Sequence, residues 1–277
     1  MKKRAVSVML TAAMVSAMLA GCGSKNAETQ SAADTTAESA VSGDETSADT
    51  QAADAETTDA SKTDGTFTVG FDQDFPPMGF VGDDGEFTGF DLEMAAEVAK
   101  RLNLTIAYQP IAWDAKDMEL DAGTIDCIWN GFTMNGREDD YEWSKPYMKN
   151  NQVFVVRGDS DINSEADLAG EVQTDSSAEA ALNDNSELTS TFGSLTPVAD
   201  YNTAFMDLES GAVDAIAMDD VVASYQITSR KADFKVLDDV IAAEEYGIGF
   251  KKGNTGLRDK VQATLEEMAA DGTAAKI

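Results

Sequence analysis

No histidine occurs among the 277 residues, and the only cysteines are Cys22 and Cys127. That removes Ser-His and Cys-His nucleophile pairs, imidazole bases and histidine-containing zinc sites. The remaining polar chemistry belongs to carboxylates, guanidinium groups and hydroxyls, and a few of these stand at informative places. Arg137 is followed directly by Glu138, Asp139 and Asp140. On composition that describes a surface charge, although a planar guanidinium also suits a carboxylate through two parallel hydrogen bonds. Asp219 ends an apolar run and begins a helical one, which by itself describes an N-cap, with Asp220 as its neighbour and competitor. Ser176 and Ser177 open another helical stretch, where free N–H groups favour a carboxylate. Cys127, inside the apolar run TIDCIW, reads as a buried core thiol. Asp72, Asp74, Asp83, Asp84 and Glu86 cluster without the spacing of an EF-hand loop, so they read as a solvated turn and no metal is expected.

Composition narrows the classes further. The chain carries 51 acidic and 20 basic side chains, a net charge of −31. A nucleic-acid binder needs a basic footprint, and so does adhesion to anionic lipid through a basic patch. Hydrophobic residues make up 43% of the chain, enough for a sizeable core. Binding is therefore favoured over hydrolytic or zinc-dependent catalysis, and no cofactor is implied.

The first residues set an address. Lys2, Lys3 and Arg4 precede an uncharged apolar stretch over residues 5–20. Sixteen residues fall short of the roughly 20 that span a bilayer, so this reads as a signal peptide over 1–21. It ends in Leu19-Ala20-Gly21-Cys22, which resembles a lipobox. Cys22 would then carry lipid on its sulfur and anchor the protein to the outer face of the cell membrane. Residues 23–64 contain ten acids and two lysines, and no Leu, Ile, Met or aromatic residue. Such a segment cannot bury enough apolar surface to offset chain entropy and is expected to be a disordered acidic tether. Its 42 residues would span about 35 Å r.m.s..

From residue 65 the pattern alternates between strands and helices. Strands are expected at Thr66–Phe71, Glu86–Phe90, Leu104–Tyr108, Thr124–Trp129, Gln152–Val156, Glu171–Gln173, Val213–Ala217, Phe234–Leu237 and Tyr246–Phe250. Helices are expected from Asp91, with Asp91 as cap, and at Ala115–Leu120, Asn163–Leu168, Ala178–Leu182, Tyr201–Leu208, Asp219–Gln226 and Leu257–Met268. Alternation of this kind argues for an α/β protein with open sheets flanked by helices, in two units. No internal sequence repeat is visible.

The stretch Gly89-Phe-Asp-Leu-Glu-Met-Ala-Ala-Glu-Val-Ala-Lys-Arg-Leu102 resembles the signature of the family 3 extracellular solute-binding proteins, the amino-acid receptors of ABC importers. Further matches follow in that family's order. They are Asp72–Met78, Asn130–Arg137, Trp143–Tyr147, Gln173–Ser177, Gly211–Asp219 and the C-terminal return from Tyr246. The resemblance implies a two-lobed periplasmic-binding-protein-like fold of type II, each lobe an open mixed sheet flanked by helices. Lobe 1 would comprise 65–155 with 245–277, and lobe 2 would comprise 156–244.

It also implies roles. A free amino acid is a zwitterion, and removing it from water requires partners for both charges. By resemblance, Arg137 takes the α-carboxylate, with Ser176 and Ser177 adding to that site; the Thr133 hydroxyl and amide and the Gly131 carbonyl meet the ligand's backbone atoms, and Asp219 takes the α-ammonium. Phe75 and Trp113 pack on the ligand side chain. Asp72 stands where the distal end is read, favouring a cationic or amide side chain. Two departures from the family are visible: the loop between Thr133 and Arg137 is one residue short, and Asp175 stands where glycine is common. The resemblance further implies an ABC permease as partner and a monomer that closes around its ligand. The lobe crossings are expected near Val156 and Ala243–Tyr246. An enzyme on the same fold, such as a cyclohexadienyl dehydratase, is the alternative.

Overall fold

The computed structural model describes residues 65–163 and 168–277. The expected leader, Cys22 and the tether lie outside these residues, as does the interior of the expected helix Asn163–Leu168. The first half contains strands β1 (Thr66–Phe71), β2 (Asp74–Phe75), β3 (Gly79–Val81), β4 (Phe87–Thr88), β5 (Thr105–Pro110), β6 (Cys127–Thr133), β7 (Glu142–Trp143) and β8 (Met148–Arg157). Its helices are α1 (Phe90–Arg101) and α2 (Lys116–Ala122). The second half contains strands β9 (Ala169–Gln173), β10 (Ser194–Val198), β11 (Ala215–Asp219) and β12 (Phe234–Phe250). Its helices are α3 (Ser177–Asp184), α4 (Ser186–Thr189), α5 (Tyr201–Ser210), α6 (Asp220–Arg230) and α7 (Thr255–Ala270).

One path of strands runs β10-β9-β11-β8-β12-β6-β1-β5, with β7 attached to β12. It reads alike from either end. Three parallel strands, in the order edge, centre, inner, are followed by one antiparallel strand. Each lobe is thus the same β-α-β arrangement, a repeat of topology without a repeat of sequence. Central strands buried on both faces are expected where helices cover a parallel sheet. All seven residues of β6 and all five of β11 are buried.

Two strands join the lobes. Gln152–Val156 of β8 already pairs with β11, whereas Tyr246–Phe250 of β12 pairs with β6. Between these points β8 and β12 pair only with each other. The expected strands Phe234–Leu237 and Tyr246–Phe250 prove to be the two ends of one seventeen-residue strand. The acid-rich run between them reads as a loop in sequence, yet from Val240 onward its backbone pairs with β8, after an irregularity that leaves Asp238 and Asp239 exposed.

Helix α1 shows how the first lobe is built. Leu92, Met94, Ala95, Val98 and Ala99 face a core shared with β1 and α7. Fully burying each larger side chain contributes about 1.5–3 kcal/mol. Acids stand in the first turn and Lys100 and Arg101 in the last, which suits the helix dipole. Asp91, expected to cap, does not. The N-cap is Gly89 at φ 130°, where a Cβ would stand 2.5 Å from the Met78 carbonyl oxygen. That tight crossing passes the capping position to glycine and leaves Asp91 to turn inward, fully buried. Cys127 is a buried free thiol, as expected.

Candidate ligand-binding cleft

The charged groups of the cleft are best taken with the elements that aim them. Strand β6 runs as a buried ribbon through Asn130, Gly131, Phe132 and Thr133, then breaks into a turn. The turn is closed by the Arg137 N–H donating to the Met134 carbonyl at 3.0 Å, with Gly136 at φ 79°. Asn135 accepts from the Glu245 N–H at 2.8 Å and fixes the turn against β12. This is how the short loop still delivers Arg137 to the cleft. The guanidinium sits 5.6 Å from the Phe132 ring and donates to the carbonyls of Thr133 (3.5 Å) and Asp175 (3.4 Å).

Gly131 stands at φ 60°, with Phe75, Tyr246 and Met78 all within 3.4 Å of where a Cβ would be. Its N–H donates to Asp91 at 2.6 Å, and the Tyr147 hydroxyl donates to the same oxygen at 2.8 Å. Helix α1 therefore braces this part of β6 from behind. Burial pushes the Asp91 carboxyl up to about 7 against the pull of these bonds.

The second lobe contributes Ser176, Ser177 and Asp219. Ser176 is the N-cap of α3 and accepts from the Glu179 N–H at 3.1 Å. Ser177 accepts from the Thr133 hydroxyl of the first lobe at 3.2 Å and from Gln152 Nε2 at 2.9 Å. Asp219 occupies the N-cap position of α6 without making a side-chain cap bond. Its Oδ1 instead accepts from Asn150 Nδ2 and Gln152 Nε2, each at 2.9 Å, and from the Tyr246 hydroxyl. The same two amides also donate to Glu244 Oε1, at 2.7 and 2.8 Å. Two buried carboxylates thus share one set of donors. Burial, and then the charge of Glu244, hold the Asp219 carboxyl well above the usual range.

Eight of the nine residues singled out for ligand contact line a single cleft: Phe75, Trp113, Gly131, Thr133, Arg137, Ser176, Ser177 and Asp219. The ninth, Asp72, does not. It is buried, accepting from its neighbour Asp74 N at 2.8 Å and from Gln173 Nε2 at 2.6 Å. Gln173 therefore presents the polar group to the cleft, with Asp72 behind it. Asn130, Phe132 and Gln173 line the cleft without having been singled out. Asn130 carried a signal, as a polar residue inside the otherwise apolar first half of β6, whereas Gln173 ends a short strand that already holds Glu171. Asp220 is absent from the cleft, where Asp219 alone of the pair is found. The cleft takes in about 300 Å³, mouth included.

The lobes meet directly around it. Phe75 packs 6.0 Å from the Tyr201 ring, and Asn202 donates to Asp74 at 2.6 Å. Among its lining residues only Arg137 and Asp219 are charged. A guanidinium from one lobe and a carboxylate from the other form a cleft that can hold a small zwitterion.

Known proteins carry this architecture. The sequence model of the bacterial extracellular solute-binding proteins, family 3, matches residues 67–277. The L-cystine-binding protein TcyJ of Escherichia coli strain K12 is 31% identical over 214 residues, covering 75% of this chain and 79% of that one. The L-cystine-binding protein TcyA of Bacillus subtilis strain 168 is 30% identical over 213 residues, covering 76% and 78%. Among solved structures, an ABC uptake transporter substrate-binding protein from Streptococcus pneumoniae with bound histidine matches with a TM-score of 0.73. It shares 32% identity over 75% of this chain and 88% of that one.

Proposed function

Because the chain belongs to the family 3 bacterial extracellular solute-binding proteins, we propose that it captures one free amino acid between its lobes and passes it to an ABC importer permease. The observation that carries this reading is the single cleft with Arg137 from one lobe and Asp219 from the other. Neither lobe alone satisfies both charges of a zwitterion, so ligand favours the closed arrangement through contacts absent when the lobes part. Arg137, Thr133, Ser176 and Ser177 take the α-carboxylate, and Asp219 takes the α-ammonium together with the Gly131 carbonyl, whose own N–H is engaged by Asp91. The turning points are Lys149–Asn151 and Ala243–Glu245, where β8 and β12 pair only with each other.

The side-chain preference follows from what remains. Phe75, Trp113 and Phe132 offer aromatic faces, and Asn130 and Gln173 offer neutral polar groups. Both lining charges are used by the ligand backbone, and Asp72 is engaged behind Gln173. A neutral side chain with polarizable or polar atoms therefore suits the cleft better than a cationic or acidic one. L-glutamine meets this criterion directly; L-cystine, supported by the relatives named for it, would lay its disulfide on the aromatic faces and extend its second ammonium and carboxylate toward the mouth of the cleft.

Thermal-shift screening of the twenty amino acids with ornithine and cystine tests this. A ligand at a hundred times its Kd adds about 2.7 kcal/mol of stability. For a folded part of this size that is roughly 5–10 °C in Tm. Stabilisation by none of them overturns the reading. The bound amino acid should be recovered unchanged by mass spectrometry, and turnover would favour a dehydratase-type enzyme instead.

The protein acts as a monomer tethered through lipid on Cys22. Labelled fatty acid should attach to the wild type and be lost in Cys22→Ala. Label retained by that variant would refute the anchor.

A further inference from the structure

One ion pair between the lobes plays no part in ligand recognition as described. Lys116, the first residue of α2 in the first lobe, is buried. Its ammonium group contacts the Asp175 carboxylate of the second lobe. It also donates to two carbonyls, those of Asp175 and Trp113, each at 3.4 Å, and stands 5.3 Å from the Trp113 ring. A buried cation without an anion is costly, so Lys116 depends on a partner that belongs to the other lobe.

Asp175 is placed unusually to serve it. It stands at φ 60°, in the left-handed region that few non-glycine residues adopt. Its N–H donates to Glu179 at 2.6 Å, and Ser176 beside it caps α3. The turn is therefore fixed from both sides. Asp175 is absent from the residues lining the amino-acid cleft. It lines the adjoining cavity instead, with Lys116, Lys251 and Lys252, and Arg137 borders both. An aspartate next to two serines assigned to a ligand carboxylate would repel that carboxylate. Contact with Lys116 neutralises it.

We propose that Lys116 and Asp175 form an interlobe latch. Lys116 is a positioning residue: it holds the second lobe against the first and keeps the Asp175 charge from opposing the ligand carboxylate. The proposal rests on the binding reading above. It predicts an order among variants that a merely structural lysine would not produce. Lys116→Met keeps the buried stem but loses the latch and leaves Asp175 uncompensated, so it is the most harmful. Asp175→Asn loses the latch and the repelling charge together. The double variant should resemble Asp175→Asn.

The experiment measures binding of L-cystine, L-histidine and L-glutamine by calorimetry. For whichever binds the wild type, Lys116→Met should raise Kd at least thirtyfold and Asp175→Asn roughly fivefold. The double variant should stay within threefold of Asp175→Asn. Fold-changes that multiply independently overturn the latch. A second measurement needs no amino acid: spin labels at Lys100→Cys and Met206→Cys report the interlobe distance in the free protein. The wild type should populate the short distance more than either single variant, and identical distributions overturn the latch. If all three amino acids fail on the wild type, the binding reading is at fault for them, and the distance measurement still decides the latch. Matching far-UV circular dichroism checks that each variant folds.

Discussion

Replacing Arg137 by alanine should weaken amino-acid binding by roughly thirtyfold to several thousandfold and leave the fold intact. The size follows from the chemistry. Removing one partner of a desolvated, hydrogen-bonded charge pair costs about 2–5 kcal/mol or more, and each 1.4 kcal/mol is about tenfold in Kd. The ligand carboxylate would remain in the cleft with only hydroxyls and backbone N–H groups to replace its water. The fold should be spared because Arg137 is only half-buried and its bonds within the protein, to the Thr133 and Asp175 carbonyls, are long at 3.5 and 3.4 Å. The turn that presents it is closed by its backbone, not by its guanidinium. Calorimetry with the amino acid that most stabilises the wild type, alongside circular dichroism, checks both halves. Unchanged affinity with an unchanged fold would refute the assigned site. Arg137→Lys should fall between, because a lysine supplies charge without the two-pronged geometry.

Which features were legible in the sequence depends on how far their causes reach. Helix α1 and strand β1 show their periodicity within a few residues, and both stand where the pattern puts them. Arg137, Thr133 and Asp219 were legible through the order of several motifs, since locally each is a surface charge, a strand end or a cap. Asp72 was misplaced because its fate is decided by Gln173, 101 residues away in sequence. Asp91 was taken for a cap because a carboxylate in a first turn usually caps. Its true partners, Gly131 and Tyr147, come from other elements. Strand β10 was missed because Pro197 interrupts its pattern, which an edge strand tolerates and a central one does not. The acid-rich centre of β12 hid its strand in the same way: long-range pairing with β8 overrode local composition. Glu244 carried no signal at all, being one acid among many until the fold brings it against Asp219.

That meeting of carboxylates leads to a pH prediction in which stability and affinity move oppositely. Between pH 5 and 8 the melting temperature of the free protein should fall while its amino-acid affinity rises. Burial raises Asp91 to about 7 and Asp72 to about 6, and holds Asp219 well above its ordinary value. A carboxyl raised in the fold keeps a proton that the unfolded chain releases. Its contribution is fully present below the unfolded value near 4 and is lost as pH rises through the folded value. For fully buried Asp91 the part lost above pH 5 amounts to about 3 kcal/mol at 1.36 kcal/mol per unit. Self-repulsion from a net charge of −31 acts in the same direction. Scanning calorimetry of the free protein should show a drop on the order of ten degrees.

Affinity has the opposite sign because an ammonium ion needs the ionised form of Asp219. Around that carboxyl stand Glu244, Tyr246, Tyr201, Asn150 and Gln152, with no cation among them to draw off the proton. Binding must therefore expel a proton, and affinity should climb by up to tenfold per pH unit, the limit for one proton, until Asp219 ionises unaided. Calorimetry in buffers of different ionisation enthalpy should register net proton release on binding, because the raised Asp219 carboxyl must ionise to receive the ammonium. Glu244→Gln removes the opposing charge and supplies an amide that can donate to Asp219, so it should flatten the profile and raise affinity at pH 5.5. An affinity independent of pH from 5 to 8, in a protein still folded throughout, would mean that Asp219 is not the group that receives the ammonium.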